Sequence, residues 1–404
     1  MTDWKSLDQT YIMSTYNRLP IAIERGVGNH LYDVDGKAYL DLFTGLAVNI
    51  LGHSHPAIVK TIKDQGEKFL HISNVFLNPP AITLAKTLVE NSIPGKVFFV
   101  NSGAEATEAA LKLIHKWKQT LESDRDGIVV LKKSFHGRTL GALKLTRQPN
   151  VYQDFPVTST PVYEVDPGDL EQVEELFKTK KPLAILMEPV LGSGGIVPLE
   201  ADYLQGIEKL CKEHQVLFGI DEIQTGIGRT GKLFAYQHSN ITPDLILFAK
   251  GVGGGLPLGG LISGEKLANL FQPGDHGTTF APSPLSAALG NTVLDVLLHE
   301  GQLQAGKEHA DYLWGRLLHL KESYPALIED IRGIGMMIGI ATKETAANVK
   351  QFQKQMLDEG YLIDVTQQTI VRLLPPLTLT RAEIDDFIVA FEKNLNAIKK
   401  EVAK

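Results

Sequence analysis

Two ionisable residues follow apolar segments in the middle of the chain: Asp221 comes after Val216–Ile220 and Lys250 after Leu245–Ala249. Either residue alone is commonly a solvated lysine or a turn-capping aspartate. Together they suggest specific chemistry. A lysine whose pKa is lowered by burial can attack a carbonyl. A Schiff-base lysine and a carboxylate that keeps a pyridine nitrogen protonated are the protein groups that pyridoxal phosphate requires. The pair therefore predicts a pyridoxal-phosphate site.

Three further apolar segments lead into residues that suit the same cofactor. Ser102, Gly103 and Ala104 join a strand end to a predicted helix start, where unpaired backbone N–H groups favour a phosphate. The alternative for Ser102 is an ordinary helix cap. Phe135 could stack on the cofactor ring or belong to the core, and Glu188 places a carboxylate at a third strand end.

The segments that carry these groups are apolar at consecutive positions, which is typical of parallel strands covered on both faces. Amphipathic helical segments lie between several of them. This alternation predicts an α/β fold with a mostly parallel central sheet, in which ligands bind beyond the carboxyl ends of the strands. The five segments are Val97–Val100, Ile128–Leu131, Leu183–Met187, Val216–Ile220 and Leu245–Ala249.

The last third of the chain has a different pattern. A long helical pattern over residues 285–320 precedes a glycine-broken apolar run at 331–340 and strand candidates at 362–365 and 369–374. A capping box, Thr380–Glu383, predicts a final helix. We predict a large cofactor-binding domain with a smaller α/β domain: an N-terminal segment (1–50) that is part of the small domain, the large domain (51–300) and the C-terminal small domain (301–404).

Composition excludes several classes of protein. The chain has 404 residues, of which 43% are hydrophobic and 22% charged, as in ordinary globular proteins. A net charge of −7 disfavours nucleic-acid binding. The apolar runs are far shorter than the roughly 20 residues of a membrane-spanning helix, and no secretory signal is visible at the N-terminus. With Cys211 as the single cysteine, these features predict a cytoplasmic enzyme without an internal disulfide.

Two other motifs carry weaker alternatives. Gly226–Gly231 has the glycine spacing of a dinucleotide-binding turn, and Lys232 nearly completes a P-loop. Five residues separate the first glycine from the strand, however, and Leu233 stands where Ser or Thr should bind magnesium, so nucleotide binding is disfavoured. His53 and His55 lack the spacing and the partners of a metal site, and we predict no metal.

Eight motifs occur in order along nearly the whole chain and resemble those of the class III (subgroup II) aminotransferases of fold type I, especially the acetylornithine and ornithine aminotransferases. They are Thr15–Pro20, Gly52–Pro56, Asn101–Ala106, Ser134–Thr139, Glu188-Pro189, Asp221–Gly226, Lys250-Gly251 and Gly277–Phe280.

The resemblance implies a role for each matching residue around pyridoxal 5'-phosphate. Lys250 matches the Schiff-base lysine and Asp221 the partner of the pyridine nitrogen. Around them, the matching cofactor-binding residues are Ser102, Gly103, Ala104, Phe135, Gln224 and Thr279, and the substrate-binding residues are Tyr16, Arg138, Glu188, Thr278 and Arg372.

The resemblance also implies a reaction and an assembly. The terminal amino group of an N-acetylornithine-like donor would pass to 2-oxoglutarate in a ping-pong cycle through Lys250. Arg138 and Arg372 suit a dicarboxylate, because arginine binds carboxylates bidentately. Thr279 matches a residue that reaches the phosphate of a partner subunit, which implies a homodimer with shared active sites.

Two departures from the family pattern concern the donor. Ser193 stands where ornithine-type members usually have a glutamate that pairs with the second arginine, and Ala281–Pro284 replaces Gly-Gly-Asn-Pro. Ser193 leaves two alternatives open: an aminotransferase for another ω-amine (ornithine, 4-aminobutyrate or β-alanine), or an amino-acid racemase with the same cofactor. A third alternative, independent of these departures, is a nucleotide-binding protein that uses Gly226–Lys232.

Overall fold

The computed structural model describes residues 2–155 and 160–402. Its strands are β1 (Ile23–Val27), β2 (His30–Asp33), β3 (Ala38–Asp41), β4 (Gly95–Val100), β5 (Ile128–Leu131), β6 (Val162–Val165), β7 (Ala184–Met187), β8 (Val190–Leu191), β9 (Val197–Pro198), β10 (Leu217–Asp221), β11 (Leu245–Phe248), β12 (Gly259–Gly264), β13 (Ile328–Ile334), β14 (Met337–Thr342), β15 (Tyr361–Leu362), β16 (Asp364–Thr366) and β17 (Ile370–Leu373).

The helices alternate with the strands over most of the chain. They are α1 (Trp4–Tyr11), α2 (Thr44–Ala47), α3 (Pro56–Gly66), α4 (Pro79–Glu90), α5 (Gly103–Lys118), α6 (Leu140–Leu145), α7 (Pro149–Tyr152), α8 (Leu170–Lys180), α9 (Ala201–His214), α10 (Pro284–Leu298), α11 (Gln302–Ser323), α12 (Ala346–Asp358) and α13 (Arg381–Val402), with 3₁₀ turns at Ala235–His238 and Lys250–Gly253.

A seven-stranded sheet forms the centre of the molecule, in the order β4-β12-β11-β10-β7-β5-β6. Its strands run parallel except β12, which pairs antiparallel with both β11 and β4. Every residue of β5, β7, β10 and β11 is buried, as expected for a sheet covered by helices on both faces. The predicted mostly parallel sheet and its five strands are confirmed.

Strand β12 was not predicted from the sequence because three of its six residues, at 259, 260 and 264, are glycines. The structure shows why glycine is needed: a Cβ on Gly260 would lie 2.5 Å from the Phe98 carbonyl oxygen. Strand β6, at the other edge, was also missed; its Val-Tyr-Glu-Val sequence is only partly buried.

Helix α5 follows β4 directly and begins at the edge of the sheet where the site lies. The Ser102 side chain caps it by accepting a hydrogen bond from the Glu105 N–H. Glu105 lies in its first turn and Lys116 and Lys118 in its last, which complements the helix dipole. Its apolar face, including Ala106 and Leu113, is buried in the core.

The C-terminal third contains a second sheet, β13-β14-β17-β16, whose neighbouring strands are all antiparallel. The predicted helical pattern at 285–320 corresponds to two helices, α10 and α11, separated near Gly301, which has φ +82°. The predicted capping box is confirmed: the Thr380 N–H donates to Glu383, and the Glu383 N–H donates to the Thr380 hydroxyl.

A third sheet, β1-β2-β3-β15, pairs N-terminal strands with a strand from the C-terminal third. The register places Leu40 and Asp41 beside Tyr361 and Leu362. This pairing brings the two ends of the sequence together, while the division at residues 50 and 300 stays a prediction. Within residues 2–155 and 160–402, no helix is both long enough and apolar enough to span a membrane.

Candidate active site

A cavity of about 680 Å³ opens at the carboxyl edge of the central sheet. The ends of β4, β5, β7, β10 and β11 all contribute to its wall, as the sequence predicted. Its lining residues are Val48, Asn101, Ser102, Gly103, Ala104, Phe135, His136, Gly137, Arg138, Glu188, Ser193, Asp221, Ile223, Gln224, Ala249, Lys250, Gly255, Leu256, Pro257 and Leu258.

Lys250 begins the 3₁₀ turn that follows β11 and lines the cavity. Its φ is +54°, a left-handed conformation that is rare for a residue with a side chain and is often found at functional sites. Burial, together with the positive charge of Arg372, lowers the pKa of its amine to about 8. A lysine with such a pKa has a substantial neutral, nucleophilic fraction near neutral pH.

Asp221 is the last residue of β10, and its carboxylate is buried. Its Oδ2 lies 2.7 Å from Nδ1 of His136, and its Oδ1 accepts a hydrogen bond from the Ile223 N–H at 3.0 Å. His136 is 1% exposed, and its Nε2 has no hydrogen-bond partner among the described residues. The Nδ1 of His136 and the Ile223 N–H together orient the Asp221 carboxylate at the cavity wall.

The start of helix α5 forms another part of the wall. Ser102, Gly103 and Ala104 line the cavity, and the Ser102 hydroxyl accepts from the Glu105 N–H at 3.2 Å. The helix-cap alternative for Ser102 is thus correct, and it is compatible with a phosphate site. A Cβ on Gly103 would lie 2.8 Å from Ile223, so only glycine permits this approach of the backbone. The first N–H groups of the helix are available to an anion.

Glu188, which follows β7, is buried and connects the segment after β5 with the loop after β8. Its Oε1 accepts from the Phe135 N–H at 2.9 Å, and its Oε2 accepts from the Gly192 N–H at 3.1 Å. Burial raises the pKa of Glu188 to about 7. Gln224, also at the cavity, has a buried Oε1 without a partner in the described part of the chain.

The comparison with protein-family models decides the family. The model of the class-III aminotransferases matches residues 11–395, almost the whole chain. The chain belongs to this family. It is an aminotransferase.

Individual relatives agree with this assignment. This class-III aminotransferase is 39% identical over 391 residues to an acetylornithine aminotransferase of Clostridium acetobutylicum, covering 96% of this chain and 100% of that protein. It superimposes on the ornithine aminotransferase of Toxoplasma gondii with a TM-score of 0.93 at 28% identity. The crystal structure of that protein has partial occupancy of PLP at its active site. That match covers 100% of this chain and 95% of the other. The acetylornithine aminotransferase of Elizabethkingia anophelis gives a TM-score of 0.87 at 30% identity, with 97% and 98% covered.

In this class-III aminotransferase, nine of the thirteen predicted site residues line the cavity described above. They are Ser102, Gly103, Ala104, Phe135, Arg138, Glu188, Asp221, Gln224 and Lys250. Arg372 is 7% exposed and is not a lining residue, although its charge lowers the pKa of Lys250. Arg138 stands at the rim, with its Cζ 5.8 Å from the centre of the Phe135 ring.

The remaining predicted residues lie outside the cavity of the single chain. Tyr16 is 74% exposed, and Thr279 is also exposed. The Thr278 hydroxyl accepts a hydrogen bond from the Asn101 side chain at 3.0 Å, which ties its loop to the start of α5. The roles of these three residues stay predictions.

Sequence reasoning missed two residues with clear structural roles in this aminotransferase. His136 lies within the Ser134–Thr139 motif but was given no role, although a histidine beside a strand end is a detectable signal. Asp364 pairs with Arg372, and no local sequence signal marks that contact.

The alternative motifs have other structural explanations. Gly226–Gly231 forms turns that lead into a 3₁₀ turn rather than a full helix. Arg229 within it is buried and donates to the carbonyls of Met336 and Pro375. His53 bonds to Asp41 at 2.8 Å, and the described residues contain no group of three side chains suited to a metal ion.

Proposed function

We propose that this class-III aminotransferase transfers the terminal amino group of N-acetylornithine, or of a similar ω-amino donor, to 2-oxoglutarate in a ping-pong cycle with pyridoxal 5'-phosphate. One observation carries the proposal: Lys250, Asp221 and the start of α5 come from three separate strand ends and line one cavity. They supply, respectively, an amine, a carboxylate and an anion site. These are the groups that this cofactor needs.

The cavity residues fit the cofactor in three respects. Gly103 leaves space that any side chain would fill, which gives a phosphate access to the backbone N–H groups. The unpartnered Gln224 Oε1 marks a side-chain amide whose hydrogen bonding is incomplete without a ligand. Asp221 is already held by His136, so its carboxylate is oriented before anything binds.

When bound, pyridoxal phosphate supplies a protonated ring that accepts the electron pair left as a proton leaves the carbon beside the amine nitrogen. The residues of the chain make this possible. Asp221 holds a proton on the ring nitrogen, and His136 holds Asp221 in place. The Lys250 Nζ, with a pKa of about 8, can accept the proton from carbon and return it near neutral pH.

Two arginines are suited to the carboxylates of the substrates. Arg138, at the cavity rim, is accessible to the carboxylate of an incoming donor. Arg372 is buried and close enough to Lys250 for its charge to lower the pKa of that amine, which supports a role in binding the second carboxylate of the dicarboxylic acceptor. Arginine provides the planar, bidentate geometry that lysine lacks.

We also propose that two copies of the chain form a homodimer with shared active sites. Thr279 and Tyr16, which the resemblance assigns to phosphate and substrate, are exposed in one chain. Near Thr279, Phe280 is 65% exposed, and Val75, Phe76 and Leu77 expose between 67% and 84% of their surfaces. Contiguous apolar exposure of this kind is costly in water unless a partner covers it.

The donor is assigned from the relatives, and Ser193 motivates the alternatives. The relatives described above are named for acetylornithine or ornithine. Ser193 removes the glutamate that ornithine-type members use beside the second arginine, so ornithine, 4-aminobutyrate and β-alanine are the alternative donors, and racemisation is the alternative reaction.

A donor panel tests the proposal. The purified protein, loaded with pyridoxal phosphate, is mixed with each donor in turn, and the loss of the visible cofactor band is followed before 2-oxoglutarate is added. N-acetylornithine should give the highest kcat/KM, and the band should return with 2-oxoglutarate. A higher kcat/KM for 4-aminobutyrate or β-alanine would contradict the donor assignment. Racemisation without a keto acid would contradict the reaction.

A further inference from the structure

Arg372 is paired with a carboxylate from the neighbouring strand. Its Nη2 and Nε lie 2.6 and 2.8 Å from the same oxygen, Oδ2 of Asp364. The two residues are directly opposite each other in the β16–β17 register, so their side chains lie on the same face of the sheet. A charge-assisted pair with both donors on one oxygen holds the guanidinium firmly.

The face that carries this pair packs against the loop after Glu188. Gly339 is the other neighbour of Arg372 in the sheet, and a Cβ on Gly339 would lie 2.8 Å from Ile196 of that loop. The β16–β17 turn also holds the loop: the Thr366 hydroxyl and the Gln367 amide both donate to the Ser193 carbonyl oxygen, at 3.0 and 2.8 Å. The pair therefore lies at the boundary between the C-terminal sheet and the active-site cavity.

The pair also occupies the Nε–Nη2 edge of Arg372, close to the cavity. Ser193 and Lys250 line the cavity, whereas Arg372 does not, although its charge is close enough to lower the pKa of Lys250. A carboxylate that enters the cavity can use the Nε–Nη2 edge of Arg372 only if Asp364 gives it up.

We propose that Asp364 is a specificity-determining residue that competes with the substrate carboxylate for Arg372. Asp364 thereby supplies, from strand β16, the opposing carboxylate that Ser193 does not supply from the loop. This inference rests on the proposed function, in which Arg372 binds the second carboxylate of the acceptor.

The consequence is discrimination between the two substrates. A donor whose single carboxylate binds Arg138 leaves the Asp364–Arg372 pair intact. A dicarboxylate has to displace Asp364. Its apparent affinity is therefore the intrinsic affinity multiplied by the fraction of enzyme in which the pair is open. If the pair is closed about 90% of the time, the reduction is about tenfold.

Binding of glutarate to the cofactor-loaded enzyme tests the proposal. Glutarate has both carboxylates of the acceptor but no reactive group, so titration calorimetry measures its affinity without turnover. Asp364→Asn should bind glutarate about tenfold more tightly than the unaltered enzyme. In steady-state assays, the ratio of the KM for 2-oxoglutarate to the KM for the donor should fall by a similar factor.

The matched control is Asp330→Asn. Asp330 lies on β13 of the same sheet and pairs with Lys321, outside the cavity. This variant should bind glutarate like the unaltered enzyme. Asp364→Ser, which also removes the charge, provides a second variant if Asp364→Asn does not fold.

Failure of the Asp364 proposal can be distinguished from failure of the proposed function. Unchanged or weaker glutarate binding in both Asp364 variants, with a native circular dichroism spectrum, would overturn the proposal, because the pair would then only hold the sheet. If the unaltered enzyme turns over no ω-amino donor, the proposed function fails, whereas the glutarate comparison still decides whether Asp364 competes for Arg372.

Discussion

Nδ1 of His136 lies 2.7 Å from Oδ2 of Asp221, and both side chains are buried at the carboxyl edge of the central sheet. Since the Asp221 carboxylate accepts, His136 donates the proton on Nδ1. A buried hydrogen bond to a charged group contributes about 1.5–3 kcal/mol. This contact therefore fixes the direction of the carboxylate at the cavity wall.

Loss of this contact should weaken the hold of Asp221 on the ring proton. In His136→Leu, kcat should fall about tenfold to hundredfold. Without this hydrogen bond the Asp221 carboxylate can turn away from the ring nitrogen, so a smaller fraction of the bound cofactor would carry a proton there. The ¹⁵N chemical shift of labelled cofactor should then move toward the unprotonated value.

His136→Asn is the matched control, because its side-chain amide can place an N–H near the position of Nδ1. It should restore most of the ring protonation. A native ¹⁵N shift in His136→Leu would show that the histidine serves only packing.

Cofactor uptake by Lys250 should depend on pH. Burial and the charge of Arg372 lower the pKa of this amine to about 8, and only the neutral amine attacks the aldehyde. The rate of uptake by cofactor-free protein should therefore rise with pH, with a midpoint near 8, and level off above it. The absorbance of the bound cofactor measures this rate. A midpoint near 10.5 would indicate an unperturbed lysine and contradict the structure.

Ser102 should affect both stability and cofactor binding. Ser102→Ala removes the cap of α5, which should lower the free energy of unfolding by about 1 kcal/mol. Asp169→Ala removes the equivalent cap of α8, away from the cavity. Both variants should lose similar stability in urea titrations, but only Ser102→Ala should raise the dissociation constant of pyridoxal phosphate. Equal cofactor binding by both variants would show that Ser102 acts purely as a cap.

The shared active site can be tested by mixing two defective chains. If Thr279 acts in the site of a partner subunit, dimers of Lys250→Ala with Thr279→Asp contain one intact site. The two differently tagged chains are co-expressed, and the mixed dimer purified through both tags should have about half of the activity of the unaltered dimer, since one of two sites is intact.

The control for this experiment pairs Lys250→Ala with Asp221→Asn. Both residues line the same cavity of one chain, so no site in the mixed dimer is intact and activity should not return. Absence of recovery in the Thr279 mixture would place Thr279 in the site of its own subunit. Recovery in the control would contradict a site in which Lys250 and Asp221 come from the same chain.

The sequence predicted well which strand-end residues lie together at one cavity, because their positions follow from local signals. Apolar runs that end in Asp221 and Lys250 indicated strand ends, and parallel strands bring such ends to one edge. Strand β12 gave no such signal, since Gly260 is required by contact with Phe98, a residue from a distant part of the sequence.

The substrate-binding part was harder to predict for the same physical reason. The Asp364–Arg372 pair depends on the register between β16 and β17, which the residue pattern of either strand does not specify. The proposed role of Thr279 depends on a second chain, so its contacts within the described residues of one chain do not reveal it.

The central claim is that Lys250, facing the same cavity as Asp221, is the residue that holds pyridoxal phosphate. Reduction of the cofactor-loaded protein with sodium borohydride fixes the cofactor to its lysine, and mass spectrometry of the digested protein locates it. The account predicts a pyridoxyl group on the peptide that contains Lys250 and none on a Lys250→Ala variant. A pyridoxyl group on another lysine of the unaltered protein, with Lys250 unmodified, would contradict it.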